Sequence, residues 1–312
     1  MEFKHISVLL NECIEALNIR PNGWYMDGTL GGGGHSGEIA KRLDKTGGLV
    51  MFDLDTEAIN FASEHLKNND CHMIFAHSNF KNFKQVLAEN NIDGLDGILL
   101  DLGVSSYQID NAERGFSYMH DGELNMAMDS TAKLTAEVVV NTYSEADLIR
   151  IFRDYGEEKF AKSIARAICT ERKKVPIKTT KQLSDIISNA VPAKFRFSAG
   201  HPAKRVFQAI RIEVNGELDS LREAIISMVR DGLRTGGRLA IITFHSLEDR
   251  IVKEAFNYLS SDCICDKKLP VCVCHHHAEV KLINKKPLLP TENECEQNPR
   301  AHSAKLRVLE KL

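Results

Sequence analysis

The chain has 312 residues, 43% hydrophobic and 27% charged, with a net charge of −3 at pH 7; that length allows two domains, and that composition excludes a disordered or fibrous protein. No apolar run is long enough to span a bilayer, and the short run in "MEFKHISVLLNECIEAL" is broken by Asn11 and Glu12, so neither a signal peptide nor a membrane partner is expected. A cytoplasmic setting follows, in which the eight cysteines are reduced rather than a disulfide framework.

The first hundred residues alternate strand and helix patterns. Strands are expected at "GWYMD" (23–27), "GLVMFD" (48–53), "HMIFAH" (72–77) and "DGILLDLG" (96–103). Helices are expected from about Ser36, from an N-cap at Asp55 through Leu66, and over "FKNFKQVLAEN". The fourth strand is continuously apolar, which suits burial on both faces. This βαβαβ rhythm implies a parallel sheet flanked by helices.

Between 108 and 205 the rhythm stops. "SEADLIRIFRDYGEE" opens on Ser144 with Asp147 three residues on, a capping box with Asp in place of Glu. Leu148, Ile151, Phe152 and Tyr155 then share one helical face. Phe160, Ile164 and Ile168 recur at four-residue spacing, and "TKQLSDIISNAVP" is a further amphipathic helix. Beyond it, "GELDSLREAIISMVRDGLRTGG" is expected as one long helix ending at a Gly-Gly turn. "RLAIITFHS" (238–246) is expected as a fifth buried strand and "SAKLRVLEKL" as an edge strand. Residues 1–107 and 206–312 thus form one α/β domain, and 108–205 an inserted all-helical domain.

The stretch "WYMDGTLGGGGHSGEIAKRL" holds a literal G-x-G-x-x-G at Gly32, Gly34 and Gly37 between strand and helix, with Asp53 about twenty residues on. Glycines admit a ligand to the backbone, and a carboxylate at Asp53 can accept both ribose hydroxyls. ATP held by a P-loop is discarded, because Gly34-His35-Ser36 offers no lysine for phosphates. NAD(H) fits the fingerprint literally. S-adenosylmethionine fits the wider pattern better, since Asp27, Asp53 and Asp101 all close predicted strands, at the edge where open α/β sheets bind ligands. Three carboxylates suit a cationic sulfonium and ammonium better than a dianionic dinucleotide.

"MDGTLGGGGHS", "SNF" (78–80), "DLGVSSYQID" (101–110), "ERGFSY" (113–118), "HPAKRVFQAIRIEVNGEL" (201–218), "ITFHSLEDR" (242–250) and "NPRAHSAKLR" (298–307) closely resemble the RsmH (MraW) family. The resemblance covers nearly the whole chain. It implies a class I (Rossmann-like) S-adenosylmethionine-dependent methyltransferase sheet interrupted by a helical domain. The implied activity is N4-methylation of a cytidine in small-subunit (16S) ribosomal RNA near the decoding region, with that RNA, within the small ribosomal subunit, as partner. The implied cofactor contacts are Gly33, Gly34, His35, Asp53, Phe80, Asp101 and Gln108. Phe80 follows the third strand, where its ring can lie against adenine.

The exocyclic amine of cytosine is a poor nucleophile, so transfer needs alignment with the S–CH₃ bond and an acceptor for an N–H proton. Asp101 is the first candidate and His245, at the end of the fifth strand, the second. Many DNA amino-methylases place Asp/Asn/Ser-Pro-Pro-Tyr/Phe where this chain reads Asp101-Leu102-Gly103-Val104-Ser105-Ser106, so base-holding by that motif is not implied.

Net charge alone speaks against a nucleic-acid partner, but its distribution does not. Residues 159–211 carry thirteen Lys or Arg against Glu171 and Asp185, a net of +11, whereas 110–158 have eleven acids and four bases, a net of −7. Such segregation is either a matter of solvated helix faces or the footprint of a polyanion. Within it, Lys204, Arg205 and Arg211 are expected to hold RNA phosphates around a base that has left its stack. Finally, "CICDKKLPVCVCHHH" gathers Cys263, Cys265, Cys272 and Cys274. Four soft ligands can make a structural zinc site, against which stands a Cys-x-Cys spacing in place of the usual Cys-x₂-Cys. No catalytic metal is expected, because methyl transfer from a sulfonium needs no Lewis acid.

Overall fold

The computed structural model describes residues 7–196, 200–266, 269 and 271–312. Residues 1–6, at the head of the segment read for a signal peptide, residues 197–199 of the basic segment, and Lys267, Lys268 and Pro270 of the cysteine-rich stretch lie outside the described residues. The chain divides into two compact units, one made of Met1–Gly103 and Leu218–Leu312, the other of Val104–Glu217.

In the first unit β1 (Trp24–Asp27), β2 (Gly48–Asp53), β3 (His72–His77), β4 (Leu95–Asp101), β5 (Leu233–Thr243), β6 (Val280–Leu282) and β7 (Lys305–Lys311) form one sheet. Its order is β3-β2-β1-β4-β5-β7-β6. Strands β1 to β5 are parallel, β7 runs antiparallel to β5, and β6 antiparallel to β7. Leu49–Phe52, Ile98–Leu100 and Leu239–Ile242 are fully buried, as continuous apolar strands covered on both faces must be. Alternate residues sort to opposite faces. On one of them Leu49, Met51, Leu99, Ala240 and Ile242 meet Cys13 and Leu17 of the helix Leu10–Leu17 and Ile39 of the helix Gly34–Ala40. The result is a Rossmann-like α/β sheet.

Three expectations change here. The helix Glu217–Ser227 gives way to a wide π turn at Met228–Gly232, and β5 begins at Leu233. Gly236 and Gly237 therefore sit inside the strand rather than in a turn before it. Pairing with β4 jumps from Leu95↔Leu233 to Gly97↔Arg238, and the two glycines take up the bulge. Gly236 has φ +79°, and a Cβ on Gly237 would stand 2.8 Å from the Arg234 carbonyl oxygen. Strand β7 is interior, and the three-residue β6, too short to show a pattern, forms the edge.

The second unit packs the helices Ala136–Thr142, Glu145–Asp154, Ala161–Glu171, Thr180–Ala190 and Ala203–Asn215 around Val139, Leu148, Phe152, Ile164, Ile168, Leu183 and Ile187. Ala203, Val206, Phe207 and Ile210 of the last helix belong to this core, so the unit extends past the expected boundary at 205. Ser144 caps its helix by accepting from the Asp147 N–H at 3.1 Å. The box is not reciprocal: the Asp147 carboxylate takes the Ser144 hydroxyl at 2.6 Å. Asp is one methylene shorter than the Glu that normally reaches back to the cap's own N–H.

Candidate active site

Three adjacent parallel strands, β2, β1 and β4, end in Asp53, Asp27 and Asp101 at one edge of the sheet. Each carboxylate has a different environment. Asp27 is buried, and accepts from the Ser36 hydroxyl at 2.6 Å and from the Thr29 N–H at 3.0 Å. Burial pushes its pKa up and the two donors only partly offset that. Asp53 accepts from the backbone N–H groups of Gly31 at 2.7 Å and Asp55 at 2.9 Å. Its pKa is still pushed up to about 6, chiefly by burial. Asp101 is fixed through its backbone N–H, which donates to Thr29 Oγ1 at 2.6 Å. Its Oδ2 lies 3.6 Å from His35 Nδ1, and its buried Oδ1 has no hydrogen-bond partner. Burial first, then the charges of Asp27 and Glu248, push Asp101 up to about 8.

The glycine loop is tied over these acids. Leu30 N–H donates to the Phe52 carbonyl at 2.9 Å and Gly33 N–H to the Leu30 carbonyl at 2.8 Å. Gly33, at φ +76°, starts the helix Gly34–Ala40. A Cβ there would be strained and would come within 3.2 Å of Ala62 Cβ. His35 is buried, with Nε2 3.1 Å from the Val8 carbonyl oxygen. A carbonyl only accepts, so Nε2 carries hydrogen and Nδ1 faces Asp101. Phe80 opens a short turn after β3 and is half-buried. Its Cβ is 3.1 Å from where a Gly28 Cβ would stand, so the side chain begins beside the end of β1. On the outer side of the loop a cavity of about 810 Å³ is bordered by Leu10, Glu12, Gly33, Gly34, Gly37 and Glu294; none of the three acids lines it.

His245 does not stand as an available base. It is the N-cap of the helix Ser246–Leu259, with Nδ1 accepting from the Glu248 N–H at 3.4 Å. Its Nε2 is buried 3.1 Å from Glu248 Oε1, without hydrogen-bond geometry. In return Glu248 Oε2 accepts from the backbone N–H groups of Phe244 and His245. The ring thus closes a capping box, and the lone pair that would take a proton is engaged by the helix.

Gln108 belongs to the second unit. It is buried and forms a reciprocal cap with Ser105, whose N–H donates to Gln108 Oε1 at 3.0 Å. Lys204 and Arg205 are exposed on the first turn of the helix Ala203–Asn215. Arg211, on the same helix, is turned inward: its guanidinium forks onto Glu217 with two bonds of 2.8 Å, the side chains 16% and 11% exposed. Its donors there serve an internal carboxylate rather than an outside phosphate.

A family model described as the MraW methylase family matches residues 2–312. The chain belongs to the MraW methylase family. Relatives of this methylase named ribosomal RNA small subunit methyltransferase H occur in Clostridioides difficile (54% identical over 315 residues) and Clostridium botulinum (54% over 312), each covering 100% of both chains. A further one from Lachnospira eligens is 53% identical, covering 100% of this chain and 99% of its own. The sheet with its inserted helical unit is the α/β class I arrangement expected of such a methylase. Thr29, Ser36 and Glu248 were not among its expected site residues. The first two lie in the glycine motif but act by bonding to Asp101 and Asp27, contacts that spacing does not reveal. The third is legible only as the partner of an unusual histidine cap.

Proposed function

We propose that this methylase transfers the methyl group of S-adenosylmethionine to N4 of a cytidine in small-subunit (16S) ribosomal RNA, near the decoding region and within the small subunit. The observation that carries the reading is Asp101: a strand-end carboxylate with a buried, unpartnered Oδ1, pushed up to about 8 by burial first and then by the charges of Asp27 and Glu248. A buried acceptor left without a donor costs about 1–3 kcal/mol, and a cationic ligand relieves both that and the carboxylate repulsion. The names of the relatives support ribosomal RNA as the substrate class.

The residues present fit the cofactor. When bound, S-adenosylmethionine supplies an electrophilic methyl group on a sulfonium. Asp53 keeps a free lone pair on each oxygen beyond its two backbone bonds, enough to accept two ribose hydroxyls. Phe80 offers an apolar ring for adenine, Gly33, Gly34 and His35 let the chain approach closely, and Gln108 is a further proposed contact on the family resemblance alone. Asp101 Oδ1 favours the positive charge and is the proposed acceptor of the amine proton; an environment that raises its pKa makes it a stronger base than a solvated carboxylate. His245 is a positioning residue that orients Glu248. Lys204 and Arg205, exposed on the first turn of their helix, are the proposed phosphate contacts.

The test is incubation with methyl-labelled S-adenosylmethionine and either naked 16S RNA or small subunits, followed by mass mapping. One N4-methylcytidine near the decoding region is expected. Label on another base, or none in either substrate, would overturn the reading.

A further inference from the structure

Between the helix Ser246–Leu259 and β6 the chain makes a long excursion in which none of the described residues from 260 to 279 is buried. It is anchored at its two ends. The Glu279 N–H donates to the Leu259 carbonyl at 2.8 Å, and His276 Nε2 reaches the Tyr258 carbonyl at 2.9 Å. Between these anchors the apolar side chains are turned to solvent: Ile264, Leu269, Val271 and Val273 are 49%, 50%, 70% and 65% exposed. A segment whose described residues bury no core needs another staple.

Four thiols converge there. Cys263 Sγ lies 3.5 Å from Cys272 Sγ and 3.8 Å from Cys274 Sγ; Cys272 Sγ lies 3.9 Å from Cys265 Sγ and 3.6 Å from Cys274 Sγ. All four sulfurs lie within 4.8 Å of one another. Zn–S bonds of about 2.3 Å at tetrahedral angles give S···S edges of about 3.8 Å, close to the 3.5–3.9 Å of the four pairs above. A disulfide is excluded, since its sulfurs are about 2.05 Å apart. Thiols are weak donors and acceptors, so nothing in their neutral chemistry draws four of them together on a solvent-exposed loop.

The surroundings fit charged sulfur. Backbone N–H groups of Cys265, Ile264 and Val273 stand 3.4 Å from the sulfurs of Cys263, Cys274 and Cys265. Donors of this kind stabilise thiolates and orient metal ligands. The Cys-x-Cys spacing is no obstacle either. Residues two apart in extended backbone share a side, so two such segments brought face to face offer two sulfurs each.

We infer that Cys263, Cys265, Cys272 and Cys274 bind one structural Zn²⁺ through four thiolates. Four S–H bonds give four Zn–S bonds and four protons to solvent, with no change of oxidation state. The site takes no part in methyl transfer; it closes the excursion and sets the four exposed apolar side chains on a fixed frame.

The full-length chain, purified without a His tag, is analysed for metal, and a mercurial titration follows zinc release as thiols are blocked. About one zinc per chain is expected, freed when about four thiols have reacted. Cys272→Ser should fall below about one-fifth of an equivalent, and Cys295→Ser should keep the full complement. Less than about half an equivalent in wild type, equal zinc in Cys272→Ser, or iron in place of zinc overturns the proposal. Should Cys272→Ser not fold, the metal content and mercurial titration of wild type decide alone.

Discussion

Binding of S-adenosylmethionine should tighten as pH rises from 6.5 to 8.5. Asp101, pushed up to about 8, faces Asp27 and Glu248, which raise it, and His35 Nδ1 at 3.6 Å. Most Asp101 carboxyls are therefore protonated at pH 6.5, whereas a cationic ligand calls for the ionised form. With a pKa of 8 the ionised fraction falls about 25-fold between pH 8.5 and 6.5, and Asp53, at about 6, adds a factor of about 1.3. Together the loss is about 30-fold, or about 2 kcal/mol. Isothermal titration without RNA, in buffers of different ionisation enthalpy, reads both the affinity and the release of about one proton per ligand at pH 7. The ligand's own amine titration is measured separately and subtracted. An affinity that changes less than about threefold over this window, with no proton released, would refute the assignment of Asp101 as the carboxylate that meets the cation.

The same linkage acts on stability with the opposite sense for the free protein. A carboxylate whose folded pKa lies above its unfolded value holds protons in the folded state, so stability present at pH 4 is lost as pH rises towards the folded value. Asp101→Asn should therefore raise the Tm of the free protein by a few degrees at pH 8 and much less at pH 5, while abolishing methyl transfer; thermal melts at both pH values check it. Gly33→Ala forces a Cβ at φ +76° against Ala62. It should cost about 1 kcal/mol of stability and weaken cofactor binding, read by denaturant melts and titration. Arg211→Ala strands the half-buried Glu217 and should cost about 3 kcal/mol by urea unfolding. Lys204→Ala with Arg205→Ala should leave the Tm within a degree or so, yet lower the slope of log affinity against log salt for single-stranded RNA by about 1.4.

Much of the sheet was legible because its signals are local. Strand β3 spans His72–His77 as its pattern implied, Asp55 caps its helix through its own side chain, and three strands end in the acids that the alternation placed there. What escaped depends on partners distant in sequence or on atypical local chemistry. Gly236-Gly237 reads as a turn, and only the register with β4 makes it a bulge. Arg211 reads as one more cation in a basic run. Its fate is set by Glu217, which lies beyond the Gly216 that ends its helix. His245 reads as a base because histidine is not a usual N-cap, and only geometry shows its ring doing the work of a serine hydroxyl. Asp101 was visible as an acid, but its orphaned oxygen was not, since that is a property of everything packed around it.

The interior placement of β7 has a consequence for the order of events during synthesis. The helical unit, Val104–Glu217, is contiguous and holds all of its own core, so it can complete itself soon after it emerges. The sheet cannot: β1 to β4 are made first, β5 waits for the insertion to finish, and its far edge stays open until Lys305–Lys311 arrives to pair from Thr243 to Arg238. Throughout that interval the nascent chain carries an exposed parallel edge of buried-type apolar residues, the form most prone to wrong pairing. Nascent chains arrested before Lys305 should accordingly show a protease-resistant helical unit beside a sheet that is still cleaved. A sheet already resistant at that length would show that β7 seals the fold rather than completing it.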